Sequence, residues 1–162
     1  MKRLISNFQN AVHPGEYLCI DDSLLAFKGK LSFKQFNPMK RARFGIKTFV
    51  LADCMTNFVL DLLPYQGKST LLENRTLITE LGFGGVVVLT LLKNVLNKFH
   101  RVVVDNWFNG PNLAIHLLRA GTYVLGTVQK RRKYMPKTEN MTRRLAKGNI
   151  TTASTGSILV ER

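Results

Sequence analysis

The chain has 162 residues, 45% of them hydrophobic, and a formal net charge of +14. That length suits one domain, the apolar content excludes a disordered chain, and the charge favours a polyanionic partner, nucleic acid or an anionic membrane surface. Residues 1–12 are expected to form a short helix, with Leu4, Ile5, Phe8 and Val12 at helical spacing and His13-Pro14-Gly15 as its stop. Residues 17–27 read as a strand that carries Asp21, and 28–45 as a basic loop or hairpin punctuated by Gly29, Pro38 and Gly45. Two further strands follow, Ile46 to Cys54 and Phe58 to Tyr65, and the short Met55-Thr56-Asn57 link predicts an antiparallel hairpin. Residues 67–85 are polar and turn-rich and carry no clear element, whereas 86–99 place Val88, Leu91, Leu92, Val95, Leu96 and Phe99 on one helical face. Arg101 to Asp105 has the short apolar run of a central parallel strand. Gly110-Pro111 opens a helix to about Arg119, Gly121 ends it, and Thr122 to Val128 make a fifth strand.

The order β-β-β-α-β-α-β predicts an α/β fold, a mixed five-stranded sheet with helices on its faces. Residues 1–128 are read as this domain. Residues 129–162 are read as a basic extension, with only Ser157 to Val160 suggesting a strand. The charge follows the same division. Residues 28–47 hold seven cations and no acid: Lys28, Lys30, Lys34, Lys40, Arg41, Arg43 and Lys47. Residues 129–162 carry a net +7, including Lys130-Arg131-Arg132-Lys133, while 48–128 carry only +1. Two basic segments on a near-neutral core fit a surface that tracks a DNA backbone. The second run also has the composition of a nuclear localisation sequence or of a solvated tail.

Asp21 and Asp105 each close an apolar strand, Leu18-Cys19-Ile20-Asp21 and Arg101-Val102-Val103-Val104-Asp105. A carboxylate there is unfavourable unless a cation meets it. If the strands are neighbours, roughly 4.8 Å apart, both acids can face one divalent metal site. Alternation turns Asp22 to the other face, as an ion-pairing residue, and Asp53 reads as a turn cap. Trp107 and Phe108 could stack on bases but are expected to pack the strand-to-helix junction.

Other patterns yield no site. Gly67-Lys68-Ser69 fails as a phosphate-binding loop because Leu62 stands where that motif needs glycine. Gly82, Gly84 and Gly85 read as a loop before a helix, and His13, His100 and His116 have no metal spacing. Cys19 and Cys54 read as buried free thiols of a reducing compartment. No secretory leader is read at the N-terminus, and the apolar stretch from Val86 to Leu92 is far shorter than the ~20 residues that cross a bilayer, so no membrane partner is expected.

The ordered set of motifs resembles the piggyBac-type transposases over residues 4–136. Cys19 to Gly29 (CIDDSLLAFKG) is similar to the family's IDExLxxFKG segment, and Phe33 to Lys40 (FKQFNPMK) to its F-x-Q-Y-x-P-x-K. Phe44-Gly45-Ile46-Lys47 resembles WGIK, Ala52-Asp53-Cys54 resembles CDS, and Tyr65-Gln66-Gly67-Lys68 resembles Y-x-G-K. Val104-Asp105-Asn106-Trp107-Phe108 resembles the family's DN-aromatic-F-T-S, and Gly126-Thr127-Val128-Gln129 with Pro136 its GTVR…P. Departures are Asp22 for the usual Glu, and Asn109-Gly110 where Thr-Ser is typical.

The resemblance implies an RNase H-like fold, similar to retroviral integrases, with three catalytic aspartates and Mg2+. Asp21 would be the first, bridging two metals, and Asp105 the second, holding one. The third normally follows an insertion domain. After Asp105 the only acids are Glu139 and Glu161, neither in a matching motif. The chain is therefore expected to be a fragment that stops at or inside the insertion and lacks the last helix, inactive alone. One sheet face would then be uncovered, favouring self-association. The alternative is a domesticated DNA-binding or interaction module without catalysis. A nuclear location is expected for either.

Overall fold

The structure is a computed structural model that describes residues 2–39, 43–138, 141, 143 and 145–162. Lys40 and Arg41 of the first basic segment, and Glu139, lie outside the described residues. The elements in chain order are α1 (Lys2–Ala11), β1 (Tyr17–Ala26), β2 (Gln35–Phe36), β3 (Phe44–Asp53), β4 (Val59–Pro64), α2 (Ile78–Leu92), β5 (Arg101–Val104), α3 (Pro111–Arg119), β6 (Tyr123–Gly126), β7 (Thr152–Ser154) and β8 (Leu159–Glu161). β1 lies between β3, antiparallel, and β5, parallel, with β6 parallel to β5 at one edge. On the other side β3 pairs antiparallel with both β4 and the short β2. The sheet is thus six-stranded rather than five-stranded. The extra strand comes from the basic loop, where Gln35 and Phe36 zip onto Gly45 and Phe44.

Alternation along the strands sorts the two faces. Leu18 and Ile20 of β1, Phe49 and Leu51 of β3, and Val102 and Val104 of β5 are buried against α2 and α3. From α3 come Leu113 and Leu117, and from α2 nearly every residue between Gly84 and Leu92. A helix buried on all sides has no polar stripe, which is why three consecutive valines, Val86 to Val88, are tolerated in it. α2 starts at Ile78, eight residues ahead of the helix read from periodicity, with a break at Gly82, whose φ of 73° only glycine adopts readily. It also stops earlier, at Leu92; Asn97 and Phe99 take left-handed backbone angles before β5. The helical stretch Arg75–Leu92 is long and apolar enough to cross a membrane by length and composition alone, and half of it is buried in the core.

The opposite face is open in its β5–β6 half. Val103 is 40% exposed, Tyr123 46% and Leu125 52%. Residues 129–162 carry two short strands, β8 overlapping the Ser157 to Val160 segment. Arg132 bonds back to the loop after β5, and β7 and β8 form a hairpin whose Leu159 lines an apolar groove together with Leu125 and Pro111.

Candidate functional site

β1 and β5 run parallel in a register that pairs Leu18 with Val102, Cys19 with Val103 and Ile20 with Val104. The next position on each strand is Asp21 and Asp105. Both acids therefore stand side by side where β5 ends and β1 continues towards Ala26, about 4.8 Å apart in backbone. Core residues Ile20 and Val104 precede them, so both side chains leave on the open face, and both are exposed. One oxygen of each is held locally: Asp21 Oδ1 accepts the Asp22 N–H at 2.7 Å, and Asp105 Oδ1 accepts the Asn106 N–H at 2.5 Å. The Thr127 hydroxyl, one strand over, donates to Asp105 Oδ1 at 3.3 Å. These bonds aim the carboxylates and leave the second oxygen of each without a protein donor among the described residues. Two hard oxygen donors of that kind suit a magnesium ion, which keeps several waters and takes one or two carboxylates. Among the described residues no group of three or more His, Cys, Asp or Glu could hold a metal.

The loop after Asp105 is braced from three sides. Phe108 and Asn109 N–H groups donate to the Asp105 carbonyl at 3.1 and 3.2 Å, closing a turn. The Asn109 amide donates to the carbonyls of Gly126 and Thr127, both at 3.1 Å, and accepts from Gly110 N–H. Arg132 donates to the carbonyls of Asn106 and Trp107 at 3.1 and 2.6 Å. Sequence reasoning missed the positioning roles of Asn109, Thr127 and Arg132. In the sequence Asn109 stands out only as a departure from Thr-Ser, and nothing in a basic run marks one arginine as a brace.

Two glycines set how closely the parts approach. A Cβ on Gly126 would lie 1.9 Å from the Val104 carbonyl oxygen, at a φ of 148°. A Cβ on Gly84 would lie 2.7 Å from the Trp107 carbonyl oxygen, so α2 presses directly on the Asp105 loop.

The remaining acids fall into structural places. Asp22 faces the core side and pairs with Lys47 at 3.7 Å. Asp53 is a turn cap: its carboxylate accepts N–H bonds from Thr56, Gly15 and Met55 at 2.8 to 2.9 Å, and these bonds hold its pKa below the ordinary carboxylate value. Cys19 and Cys54 are half-buried rather than fully buried; burial first, and the neighbouring Cys54 second, push the Cys19 thiol up to about 11. Trp107 and Phe108 pack the junction, Trp107 stacked on Phe49 at 5.4 Å and Phe108 buried.

The cations expected to meet DNA are not equivalent. Lys28, Lys30 and Arg43 are exposed on the β1–β3 loop. Lys34 donates to the Gly29 carbonyl and sits over the Phe44 ring. Lys47 lies on the core side, 5.2 Å from the ring centres of both Phe49 and Trp107 and paired with Asp22. In the second run Lys130 and Arg131 are exposed, Lys133 stacks on Tyr134, and Arg132 is the loop brace.

Comparison with known proteins places the fold in a family. The model of the family described as transposase IS4 matches residues 1–161. The chain is 30% identical over 118 residues to the human PiggyBac transposable element-derived protein 3, covering 70% of this chain and 19% of that protein. The human chimeric ERCC6-PGBD3 protein matches at the same identity, over 11% of its length. Among solved structures, a piggyBac transposase synaptic complex with hairpin DNA superposes with a TM-score of 0.79 at 28% identity, over 96% of this chain and 32% of that one. The chain thus spans less than a fifth of the curated relatives it matches and about a third of the solved transposase. With the fold, the motif order and the family match in agreement, this chain belongs to the transposase IS4 family, as a piggyBac-type member of it.

Proposed function

We propose that this chain is the part of a piggyBac-type transposase core that supplies two of the metal-binding acids and a surface for the DNA backbone. The observation that carries this is the adjacent register of Asp21 and Asp105 on the open face, where β5 ends beside β1. Those two residues would hold Mg2+, which when bound activates an oxygen nucleophile and stabilises the leaving oxygen of a phosphodiester. The protein's own part is positional. β1 and β5 fix the spacing of the acids, while Thr127, Asn109 and Arg132 hold the Asp105 loop against the end of β6. Lys28, Lys30 and Arg43 attract the backbone by counterion release. With two acids and no third in reach among the described residues, this chain alone is expected to cleave DNA little or not at all. Supercoiled plasmid incubated with the chain and Mg2+ should stay uncut; robust nicking that is lost in Asp21→Asn would overturn that expectation.

A second reading is a DNA-binding module without catalysis, with which the human transposable element-derived relatives are consistent. Salt-dependent DNA affinity that is unchanged in the Asp21→Asn, Asp105→Asn double variant and indifferent to Mg2+ selects it. We place either form in the nucleus, where its DNA partner would be. A fluorescent fusion excluded from nuclei would contradict that placement.

A further inference from the structure

The basic loop carries a feature that charge alone does not explain. β2 sets Phe36 directly opposite Phe44, and the two rings lie 4.7 Å apart at an angle of 37°. They are nevertheless 58% and 52% exposed. Two touching aromatic rings left half in water form an apolar patch that a soluble surface normally hides. Cations surround it: the Lys34 ammonium lies 5.6 Å from the Phe44 ring centre, and Lys28, Lys30 and Arg43 are exposed on the same loop. No acid occurs anywhere between Asp22 and Asp53.

Resting on the DNA reading above, we propose that the Phe36–Phe44 pair is a stacking platform for unpaired nucleobases. A polyanion with flat apolar faces is the partner that uses rings and cations together. Duplex DNA hides its base faces in the stack, so it can engage only the cations. Position supports the same occupant. Asp21 pairs with Val50 on β3, and Phe44 stands six residues before Val50 on that strand, hence on the same face of the sheet as Asp21. Six strand residues span about 20 Å, a distance that a few nucleotides of an extended single strand cover. A single strand laid along the open face of β1 therefore runs from the acids to the phenylalanine pair, and the contacted bases would lie a few nucleotides from a phosphate held at Asp21.

The test measures fluorescence anisotropy with a ~20-nucleotide single strand and a blunt duplex of the same sequence at fixed salt. The proteins are the full chain, Phe36→Ala, Phe44→Ala and the conservative Phe44→Tyr. Single-strand affinity should fall roughly 5- to 150-fold in the alanine variants, duplex affinity should change less than about threefold, and tyrosine should restore single-strand binding. In the unmutated chain a 2-aminopurine base in the single strand should lose fluorescence on binding, a readout that decides the matter even if alanine unfolds the loop. Equal losses on both DNAs, no loss on either, or unchanged 2-aminopurine emission at every position overturns the platform. So does an alanine variant whose only effect is to dissolve self-association. Failure of the unmutated chain to bind either DNA at low salt overturns the underlying DNA reading as well.

Discussion

At the scale of residues, the site is two acidic side chains held next to each other with no ion pair to a protein cation on either among the described residues. Two like carboxylates side by side repel one another, and the arrangement is tolerable because both are exposed, Asp21 within β1 and Asp105 just after β5. Asp21→Asn or Asp105→Asn should therefore leave thermal stability within about 0.5 kcal/mol of the original, or raise it slightly. Calorimetry in metal-free buffer checks this, and a severe loss would mean that the acids hold the fold. Asp53 is the contrast. Its pKa is lowered by N–H bonds from Thr56, Gly15 and Met55, so it stabilises the fold above the pKa of the unfolded chain, about 3.9, and that contribution disappears as pH falls through the lower folded value. Asp53→Asn should lower stability by about 1–3 kcal/mol near neutrality and flatten the acid limb of the stability curve. Urea unfolding between pH 3 and pH 7 measures both, and an unchanged acid limb would remove Asp53 from the account. Asp53 and Asp105 are legible in the sequence because each sits where a strand meets a turn, whereas Asp21 lies inside β1 and is marked by the apolar run before it. The pairing of Asp22 with Lys47 was only half legible: alternation gave the face, but which cation would be waiting there depended on β3 lying beside β1.

Elements explain what periodicity reads well and where it stops. β1, β3, β4, β5 and α3 were readable to within a few residues because each has a buried face and a marked end. α2 was misjudged at both ends because a helix buried all round loses its amphipathic signature, and Gly82 interrupts its first turns. β2 was not readable as a strand at all; two residues have no period, and only their partner on β3 makes them a strand. Close packing here is functional as well as structural. Gly126→Ala should separate β5 from β6, since the new Cβ would overlap the Val104 carbonyl, and should cost on the order of 2–4 kcal/mol. Arg132→Ala is expected to act on order rather than on stability, releasing the carbonyls of Asn106 and Trp107. Faster amide hydrogen exchange confined to residues 105–110 would show it, and unchanged exchange there would deny the brace.

The whole molecule combines a charge of +14 with an open apolar half-face at Val103, Tyr123 and Leu125. The charge opposes association between copies and the apolar surface favours it. Sedimentation equilibrium should find the chain closer to monomeric at low salt and self-associating as salt screens the charge. Monomer at every salt concentration would show that the open half-face is too small to drive association. Fold and motif order were visible in the chain from its ordered sequence segments, but the open face was only inferable, because what covers a sheet is a property of neighbours and not of the strand itself. The same holds for the central claim, that Asp21 and Asp105 act as one site for a divalent ion. Titration with Mn2+ followed by electron paramagnetic resonance tests it directly, because free and bound ion are counted separately. The geometry predicts a site in the unmutated chain whose affinity falls at least about tenfold, roughly 1.4 kcal/mol, in Asp21→Asn and equally in Asp105→Asn, with little further loss in the double variant. Binding that is identical in the unmutated chain and the double variant would contradict the shared site and, with it, the metal-dependent reading of this fold.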